Sequence, residues 1–408
     1  MTLIRPFAAL RPAPGWASEV IAPPYDVLKS DEARALAAGR PWSFLHVSKP
    51  EIDLAKGIDT HAPEVYAKAA ANLAKMVEAG VLQREDRPCY YVYRLTMGDH
   101  VQTGLVAAAS VAAYDINRIR KHEFTRPDKE DDRVRHVEAL NAQTGPALLA
   151  HPEAPEINAI LSAAAVGEPD AHAEAESGVR HTLCVVRDGT VIAKLTELFD
   201  AFPALYIADG HHRSAAASRV AAARRKNGGE TSADYFLAVI FPKDQMRIMD
   251  YNRVVRDLNG LSEAEFMSRV EEKFQVTPSS GPAKPSRPGE FGLYLGGTWR
   301  RLAIKPELIP SDPVGRLDVN LLQDQLVGPI LGITDPRRDQ RIDFVGGIRG
   351  LAELEQRVDS GEMALAFALY PTGMADLMAV ADAGEVMPPK STWFEPKLAD
   401  GMACNVID

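Results

Sequence analysis

Cysteine is scarce in this chain, with three residues, Cys89, Cys184 and Cys404, among 408. Their number is odd and their spacing fits no metal-binding pattern, which argues against a disulfide-stapled secreted domain and a cysteine-ligated zinc site. Long apolar runs are also missing. No stretch reaches the roughly 18 to 20 residues that a membrane span requires, and none of signal length follows Met1. We therefore expect a cytoplasmic protein with reduced thiols and no membrane partner.

Basic residues are also fewer than acidic ones. The chain holds 46 Lys and Arg against 56 Asp and Glu, and its formal net charge is −10. This balance disfavours a general nucleic-acid binder or a metal-dependent nuclease, although a local basic pocket is compatible with it. The apolar content of 46% and the charged content of 25% are ordinary for a soluble globular protein. A chain of this length can form two or three domains, each with its own core.

Against this ordinary background, one short segment is dense in reactive residues: Asp-Gly-His-His-Arg, residues 209–213. The apolar residues 204–208 predict a buried strand before it, and the alanine-rich residues 214–225 predict a helix after it. Gly210 permits the turn between them and a close approach by a ligand. The segment is therefore expected at a strand-to-helix corner.

The chemistry of this corner favours an anion. The first amides of a helix have no intrahelical partner and carry partial positive charge. His211, His212 and Arg213 add further donors and positive charge, whereas Asp209 offers an acceptor for a cation or a proton. The segment predicts a phosphate site with a base or a metal beside it. The alternative, in which Asp209 merely caps the helix, leaves the His-His-Arg run unexplained.

Three other polar segments are candidates for the same site. Asp26 follows two prolines that fix an extended backbone, although it is also compatible with a simple turn. His122, Glu123 and Arg126 come between a strand and a helix that begins near Pro127, so they stand at a second helix N-terminus.

The third segment lies near the C-terminus of the sequence. Lys390, Ser391, Thr392 and Lys397 are donors of the kind that phosphate sites use. No glycine-rich approach precedes them, so an ordinary basic loop is the alternative.

Strands and helices alternate along the chain, which predicts a mixed α/β fold. A capping-box pattern that starts at Ser262 begins a new unit, so we place the domains at residues 1–258 and 259–408. The second domain is expected to be α/β as well. The Asp188-Gly189 dipeptide predicts a tight hairpin turn between two short strands.

Several segments resemble domain-of-unknown-function family 1015, and they extend along nearly the whole chain. They are RPF at 5–7, APPYDV at 22–27, HEFTRPDKED at 122–131, IADGHHR at 207–213 and MPPKSTWF at 387–394. The resemblance supplies no activity, because the family is one of unknown function.

A second resemblance covers only the Asp-Gly-His-His-Arg motif and its strand-helix frame. The motif is similar to that of ParB/sulfiredoxin-like proteins, including free-serine kinases that use a nucleoside phosphate donor. It implies a ParB/sulfiredoxin-like N-terminal core and phosphate contacts from Gly210, His211, His212 and Arg213. It also implies that Asp209 lies near the metal or the nucleophile.

The general base is a point of departure from those kinases. They take a glutamate from an early loop, where this chain offers Asp26 instead. Asp26 and Glu123 are therefore alternative candidates for the base.

Together these expectations describe a phosphoryl-transfer enzyme that acts on a small hydroxyl metabolite, with free serine as the analogous substrate and a nucleoside di- or triphosphate as donor. The expected catalytic residues are Asp209, His212, Asp26 and Glu123; phosphate-binding residues are Gly210, His211, Arg213, Arg126, Lys390, Ser391 and Thr392; Mg²⁺ would lie on Asp209 and Glu123.

Other functions stay open at this point. A phosphatase or nucleotide hydrolase would use His211 or His212 as nucleophile or acid, and a regulator would bind a nucleotide without rapid turnover. Zinc on His211, His212 and His122 is less favoured, because adjacent histidines seldom ligate one ion. The expected partner is a nucleotide or another phosphorylated small molecule rather than nucleic acid, and a homo-oligomer is compatible with the sequence.

Overall fold

The apolar runs of the sequence become strands, and its alanine-rich or amphipathic runs become helices, in the computed structural model, which describes residues 2–225 and 231–407. The chain forms two units, one of residues 1–246 and 396–408 (unit 1) and one of residues 247–395 (unit 2). Unit 2 thus begins earlier than the predicted boundary between residues 258 and 259. Residues 396–408 (the C-terminal tail), which the sequence predicted to lie in the second domain, belong to unit 1.

Both units mix helices with sheets, so the α/β prediction is confirmed. Strands are numbered in chain order. Those of unit 1 are β1 Ile4–Arg5, β2 Leu10–Pro12, β3 Leu82–Arg84, β4 Tyr90–Met97, β5 His100–Ser110, β6 Ile119–Arg120, β7 Ala142–Gln143, β8 Ala147–His151, β9 Ala171–Glu174, β10 Arg180–Val186, β11 Leu205–Asp209 and β12 Tyr235–Pro242. Those of unit 2 are β13 Arg247–Met249, β14 Tyr251–Val255, β15 Phe274–Pro278, β16 Glu290–Leu295, β17 Thr298–Ile304, β18 Ile342–Gly346, β19 Leu365–Leu369 and β20 Trp393–Glu395; β21 Asn405–Val406 returns to unit 1.

The helices of unit 1 are α1 Ala17–Val20, α2 Ser30–Ala37, α3 Leu45–Ser48, α4 Pro63–Glu78, α5 Val111–Asp115, α6 Pro127–Leu140, α7 Pro155–Ala164, α8 Gly189–Asp200 and α9 His211–Arg224. Those of unit 2 are α10 Glu263–Lys273, α11 Asp318–Leu322, α12 Gly350–Asp359 and α13 Met374–Asp382. None of the helices in the described part of the chain is both long and apolar enough to cross a membrane.

Unit 1 is organised around a nine-stranded sheet with the order β6-β11-β8-β12-β5-β4-β10-β9, to which β1 adds at β5. The pairs β6–β11 and β8–β12 are parallel, and the other neighbours are antiparallel. Helix α9 follows β11 directly and buries Ala215, Ala217 and Ala221 in the core cluster of the sheet. These alanines carry almost no helix-forming cost, and their small side chains let the helix lie close to the strands.

The C-terminal tail is bound to unit 1 by backbone pairing. Leu10 and Cys404 exchange hydrogen bonds of 3.0 and 2.8 Å, and Ala22 and Asp400 exchange bonds of 3.1 and 2.9 Å. Strand β21 pairs with β7, and Ile407 is fully buried in a cluster with Val220 of α9 and Ala233. These contacts bring Asp400 next to the Pro-Pro-Tyr-Asp segment near the beginning of the chain.

Unit 2 contains a six-stranded antiparallel sheet with the order β15-β17-β16-β19-β14-β18. Its core cluster includes Val254, Tyr294, Trp299 and Leu354. Helix α10 begins at the predicted capping box, where Ser262 accepts a hydrogen bond from the amide of Glu265.

The hairpin predicted around Asp188-Gly189 is wrong. Asp188 is instead the N-cap of α8, and its Oδ1 accepts hydrogen bonds from the amides of Thr190 at 2.7 Å and Val191 at 3.2 Å. Aspartate favours both turns and helix N-termini by the same side-chain-to-backbone bonding. The residues that follow the dipeptide form an amphipathic helix, and this favours the helix N-cap over the hairpin turn at Asp188.

We expect Gly104→Ala to destabilise unit 1. A Cβ at this position of β5 would lie 2.6 Å from the carbonyl oxygen of Ile240 and 2.7 Å from the ring of Phe241, and such overpacking costs about 1–3 kcal/mol. The measurement is urea unfolding, with Gly189→Ala as control. A Cβ at Gly189 would have no neighbouring atom within 4 Å, so its replacement is expected to be neutral or stabilising by up to about 1 kcal/mol. Equal stability of the two variants would contradict the close packing of Gly104 in β5 against Ile240 and Phe241 in β12.

Candidate functional site

The Asp-Gly-His-His-Arg corner lies where β11 leaves its regular pairing. The register of β11 against β8 shifts between Ile207 and Asp209, and such a bulge re-aims the side chain at the strand end. Gly210 then adopts a left-handed conformation with φ 93°, which glycine reaches at little cost. A Cβ on Gly210 would lie 3.0 Å from Cα of Ala147. The turn and the neighbouring strand therefore both favour glycine here.

The first amides of helix α9 at this corner have no partner within the helix. Its first intrahelical hydrogen bond runs from the amide of Ser214 to the carbonyl of Gly210 over 3.0 Å. The amides of His211, His212 and Arg213 consequently have no acceptor within the helix, and the helix dipole adds partial positive charge at the same end. This is the backbone arrangement that an anion requires.

The loop after β6 reaches the corner because β6 and β11 are parallel neighbours and end at the same edge of the sheet. The amide of His122 donates to Nε2 of His211 over 3.4 Å, and the two rings cross edge to face with centroids 4.5 Å apart. Nδ1 of His211 lies 3.6 Å from Oε2 of Glu123. The amide of Arg126 donates to Nε2 of His212 over 3.1 Å. The segment at 122–126 and the motif at 209–213, which are separate in the sequence, therefore contact each other in the fold.

The histidines do not supply the positive charge that the sequence analysis expected. Burial lowers the pKa of His122 to about 4. Burial and the neighbouring His122 hold the pKa of His211 well below its ordinary value, and burial also lowers the pKa of His212. All three are neutral at neutral pH. Because Nε2 of His212 accepts the Arg126 amide, its proton lies on Nδ1, which makes the ring a neutral donor.

Arg213 provides charge at the corner. Its Nη1 donates to the carbonyl of Pro146 over 2.5 Å, while its Nη2 lies 3.7 Å from Oδ1 of Asp209 and 3.9 Å from Oδ2 of Asp26. Burial alone would lower the pKa of Arg213, but Asp209 and Asp26 hold it above its usual value. One guanidinium thus links the corner to the early Pro-Pro-Tyr-Asp loop.

Asp209 is held as an anion. Its Oδ1 accepts a 2.7 Å hydrogen bond from the amide of Gly210, and its Oδ2 lies 3.7 Å from Nζ of Lys397. Burial by itself would raise the pKa of this carboxyl, but Lys397 and Arg213 outweigh burial and lower the pKa to about 2. Lys397 belongs to the C-terminal tail, so the tail supplies one of the two cations that lie near Asp209.

A pocket lies beside Arg213 within unit 1. Its lining residues are Tyr25, Ser48, Arg133, His136, Val137, Gln143, Thr144, Gly145, Arg213, Ala216, Phe236, Leu237 and Asp400. The guanidinium of Arg133 lies 3.9 Å above the ring of Tyr25 and is bound to Asp132 by hydrogen bonds of 2.5 and 3.0 Å. Two arginines and a buried carboxyl therefore border one small space.

Asp400 is the buried carboxyl of this pocket. Its side chain is almost fully buried, and its Oδ2 has no hydrogen-bond partner among the described residues. Burial raises the pKa of Asp400 to about 7, although Arg213 nearby opposes the rise. A buried carboxyl with an open acceptor atom suits contact with a ligand.

The predicted phosphate-binding residues at 390–392 belong to unit 2. There, the hydroxyl of Ser391 donates to the carbonyl of Pro388 over 2.6 Å, and Nζ of Lys390 lies 5.6 Å from the ring centroid of Tyr251. The role of Lys390, Ser391 and Thr392 in phosphate binding stays a prediction.

Arg126, by contrast, lies in unit 1. Its backbone amide reaches His212, while its guanidinium is exposed and paired with Asp128 over 2.8 Å.

Metal binding by histidines finds no support in the described part of the chain. Within residues 2–225 and 231–407, no group of three or more His, Cys, Asp or Glu side chains is arranged to hold a metal ion. Zinc on His122, His211 and His212 stays the less favoured alternative of the sequence. Magnesium on Asp209 and Glu123 stays a prediction, because Mg²⁺ is commonly bound by one or two carboxylates together with substrate phosphates.

Sequence reasoning missed Arg133 and Asp400, and it named Lys397 only as a general phosphate donor. Arg133 stands in a charge-rich helix that is typical of a solvated face. Asp400 and Lys397 stand more than 180 positions after the motif, in a tail without a periodic pattern. Their place follows from the backbone pairing of the tail, which no local signal indicates.

The family model described as "Protein of unknown function (DUF1015)" matches residues 4–320. The chain belongs to this family. Four of the five segments that carried the resemblance lie within the matched range, and the segment at 387–394 lies beyond it. No curated protein matches the sequence.

Solved structures with a similar arrangement include three proteins. One is a conserved hypothetical protein from Pyrococcus furiosus, 14% identical, with 74% of this chain and 94% of that chain covered and a TM-score of 0.35. A free serine kinase in complex with AMP is 15% identical, with coverages of 71% and 86% and a TM-score of 0.36. SbnI with a C-terminal truncation, from Staphylococcus aureus, is 11% identical, with coverages of 72% and 85% and a TM-score of 0.38. Scores this low carry no inference about activity.

We expect Asp400 to make the stability of this DUF1015 protein fall as the pH rises. Its folded-state pKa of about 7 exceeds the value of about 3.9 in an unfolded chain. Its contribution is therefore complete below about pH 4 and is lost as the pH passes through 7. Asp400→Asn removes this ionisation, so the variant should gain about 2–3 kcal/mol relative to wild type between pH 5 and pH 8.

The measurement is urea unfolding of both proteins near pH 5 and near pH 8. A hydrogen bond of the Asp400 carboxyl that is lost in Asp400→Asn lowers the stability of the variant equally at both pH values. The change in the stability difference between pH 5 and pH 8 therefore reports the ionisation of Asp400. The exposed Asp86→Asn variant is the control and should track wild type. Parallel pH profiles for Asp400→Asn and wild type would show that Asp400 does not titrate as described.

Proposed function

We propose that this protein transfers a phosphoryl group from a nucleoside phosphate to a small hydroxyl compound. The observation that carries the proposal is the convergence, within unit 1, of a helix N-terminus whose first amides have no partner within the helix, two cationic side chains and three carboxylates. Arg213 and Lys397 supply the cations. Asp209, Asp26 and Glu123 supply the carboxylates, each within 4 Å of a side chain of the corner or its tail.

Phosphoryl transfer demands positioning and neutralisation of charge more than covalent help from the protein. The amides of His211, His212 and Arg213 offer directed donors. The neutral ring of His212 adds a donor without a charge. Together they support binding of the donor's phosphates at the first turn of α9.

The pocket beside Arg213 supports a small polar acceptor. Arg133 and Arg213 attract a carboxylate, and Oδ2 of Asp400 accepts a hydrogen bond from a hydroxyl or an ammonium group. Asp26 lies against the same guanidinium that contacts Asp209, so it is our candidate for the base that takes the acceptor's proton. Free serine is the first acceptor to test, because the motif resembles that of free-serine kinases.

Mg²⁺ accompanies nucleoside phosphates in most such reactions. Asp209 fits it in donor chemistry, since its pKa of about 2 keeps it an anion at neutral pH, and Glu123 offers a second carboxylate. When bound, the ion would neutralise charge on the transferred group.

We expect a nucleotide to raise the melting temperature of the wild-type protein. Binding stabilises the folded state by mass action, by about 2.7 kcal/mol at a ligand concentration of 100 Kd. The measurement is a thermal-shift screen of ADP, ATP, CTP, GTP and pyrophosphate with Mg²⁺. His212→Ala removes a donor and should lose most of the shift, whereas Glu197→Gln, an exposed carboxylate on α8, should keep it. Absence of any shift in wild type would remove the nucleotide from the proposal.

We expect Asp26→Asn to lower the rate of transfer by about 10²–10⁴-fold while the nucleotide-induced shift is retained, because a general base acts on the acceptor and not on donor binding. The phosphorylated acceptor is measured by ³¹P NMR, with the exposed Asp31→Asn as control. If Glu123→Gln causes the loss instead, Glu123 is the base. Release of phosphate at full rate without any acceptor would identify a hydrolase and contradict transfer.

A further inference from the structure

Phe124 carries an aromatic ring that is 78% exposed beside the corner. It is the one aromatic residue among the exposed large apolar side chains of the described chain. The others are aliphatic: Val27, Val77, Val101, Ile116, Val166, Ile309 and Ile348. An aromatic ring left in water at a phosphate site needs a reason, since burying it would be favourable.

The exposure of Phe124 is fixed by its neighbours in the loop. On one side, His122 is buried and Glu123 lies against His211. On the other side, the amide of Arg126 is bound to the ring of His212. The backbone is therefore anchored to the first turn of α9 both before and after Phe124, so the ring is held outside the protein core.

The place of Phe124 in the loop, between two residues that contact the first turn of α9, suits a ligand that also occupies the corner. Consecutive Cα atoms are about 3.8 Å apart, so Cα of Phe124 lies within about 8 Å of Cα of Arg126, whose amide contacts His212. From a Cα at this distance, a phenylalanine side chain can reach a group that is joined to a phosphate through a sugar. A flat heterocycle is the group that an exposed aromatic face binds best.

We infer that Phe124 is the stacking surface for the base of the nucleoside phosphate, an inference that rests on the proposed function. Stacking depends on the π-face of the base and not on its hydrogen-bonding edge. Phe124 thus adds affinity for nucleotides over inorganic phosphates and does so for purines and pyrimidines alike. The donor that the corner accepts is accordingly a nucleoside phosphate rather than pyrophosphate or polyphosphate.

The experiment measures Kd by isothermal titration calorimetry for ADP, CDP and pyrophosphate with Mg²⁺. Wild type is compared with Phe124→Ala, Phe124→Tyr and Val166→Ala. Val166 is 82% exposed and serves as a matched control for loss of an exposed apolar side chain. We expect Phe124→Ala to weaken ADP and CDP by at least about fivefold and to leave pyrophosphate unchanged. Phe124→Tyr retains a ring and should bind as wild type does, and so should Val166→Ala.

The outcomes separate this inference from the proposed function. Unchanged affinity of Phe124→Ala for ADP, with wild-type binding of both ligand types, overturns the stacking role and leaves the phosphate site intact. Equal weakening of ADP and pyrophosphate shows that Phe124 shapes the loop, which also overturns stacking. If wild type binds neither nucleotides nor pyrophosphate, the phosphate site itself fails and the inference falls with it.

Discussion

The contact on which the corner depends is that of Arg213 with its acceptors. One largely buried guanidinium donates to the carbonyl of Pro146 and lies within 4 Å of both Asp209 and Asp26. Both carboxylates are more than a third exposed, so water screens these ion pairs and each one stabilises the fold less than a fully buried pair would. This side chain contacts the early loop at Asp26, helps Lys397 to keep Asp209 ionised, and borders one side of the pocket.

Burial divides the polar groups of the site into two classes. It keeps His122 and His211 neutral, because desolvation lowers their pKa values by more than the nearby carboxylate of Asp209 raises them. It does not keep Asp209 neutral, because Lys397 and Arg213 outweigh the same effect. The site therefore combines neutral donors with a few fixed charges, an arrangement that stabilises an anion by oriented dipoles as well as by cations.

A single geometric feature of the sheet brings the two motif segments together. Strands β6 and β11 are parallel and adjacent, so the loop that contains Glu123 and the turn that contains Gly210 emerge at one edge. Sites of α/β sheets commonly lie at such an edge, beyond the carboxyl ends of the strands. The same geometry explains why Phe124 is exposed, since its loop is anchored to α9 on both sides.

The local sequence determined the strand, turn and helix around residues 209–213, because an apolar run, a glycine and an alanine-rich run each have a strong local preference. It also indicated Asp26 and Glu123 as candidates, from their residue type and from their places after two prolines and between a strand and a helix. The hairpin at Asp188-Gly189 failed because aspartate caps helices as readily as it opens turns. Only the tertiary structure decided that Asp400 and Lys397 join the corner and that its histidines are neutral. Tail pairing and desolvation depend on residues far apart in the chain, and no local pattern encodes them.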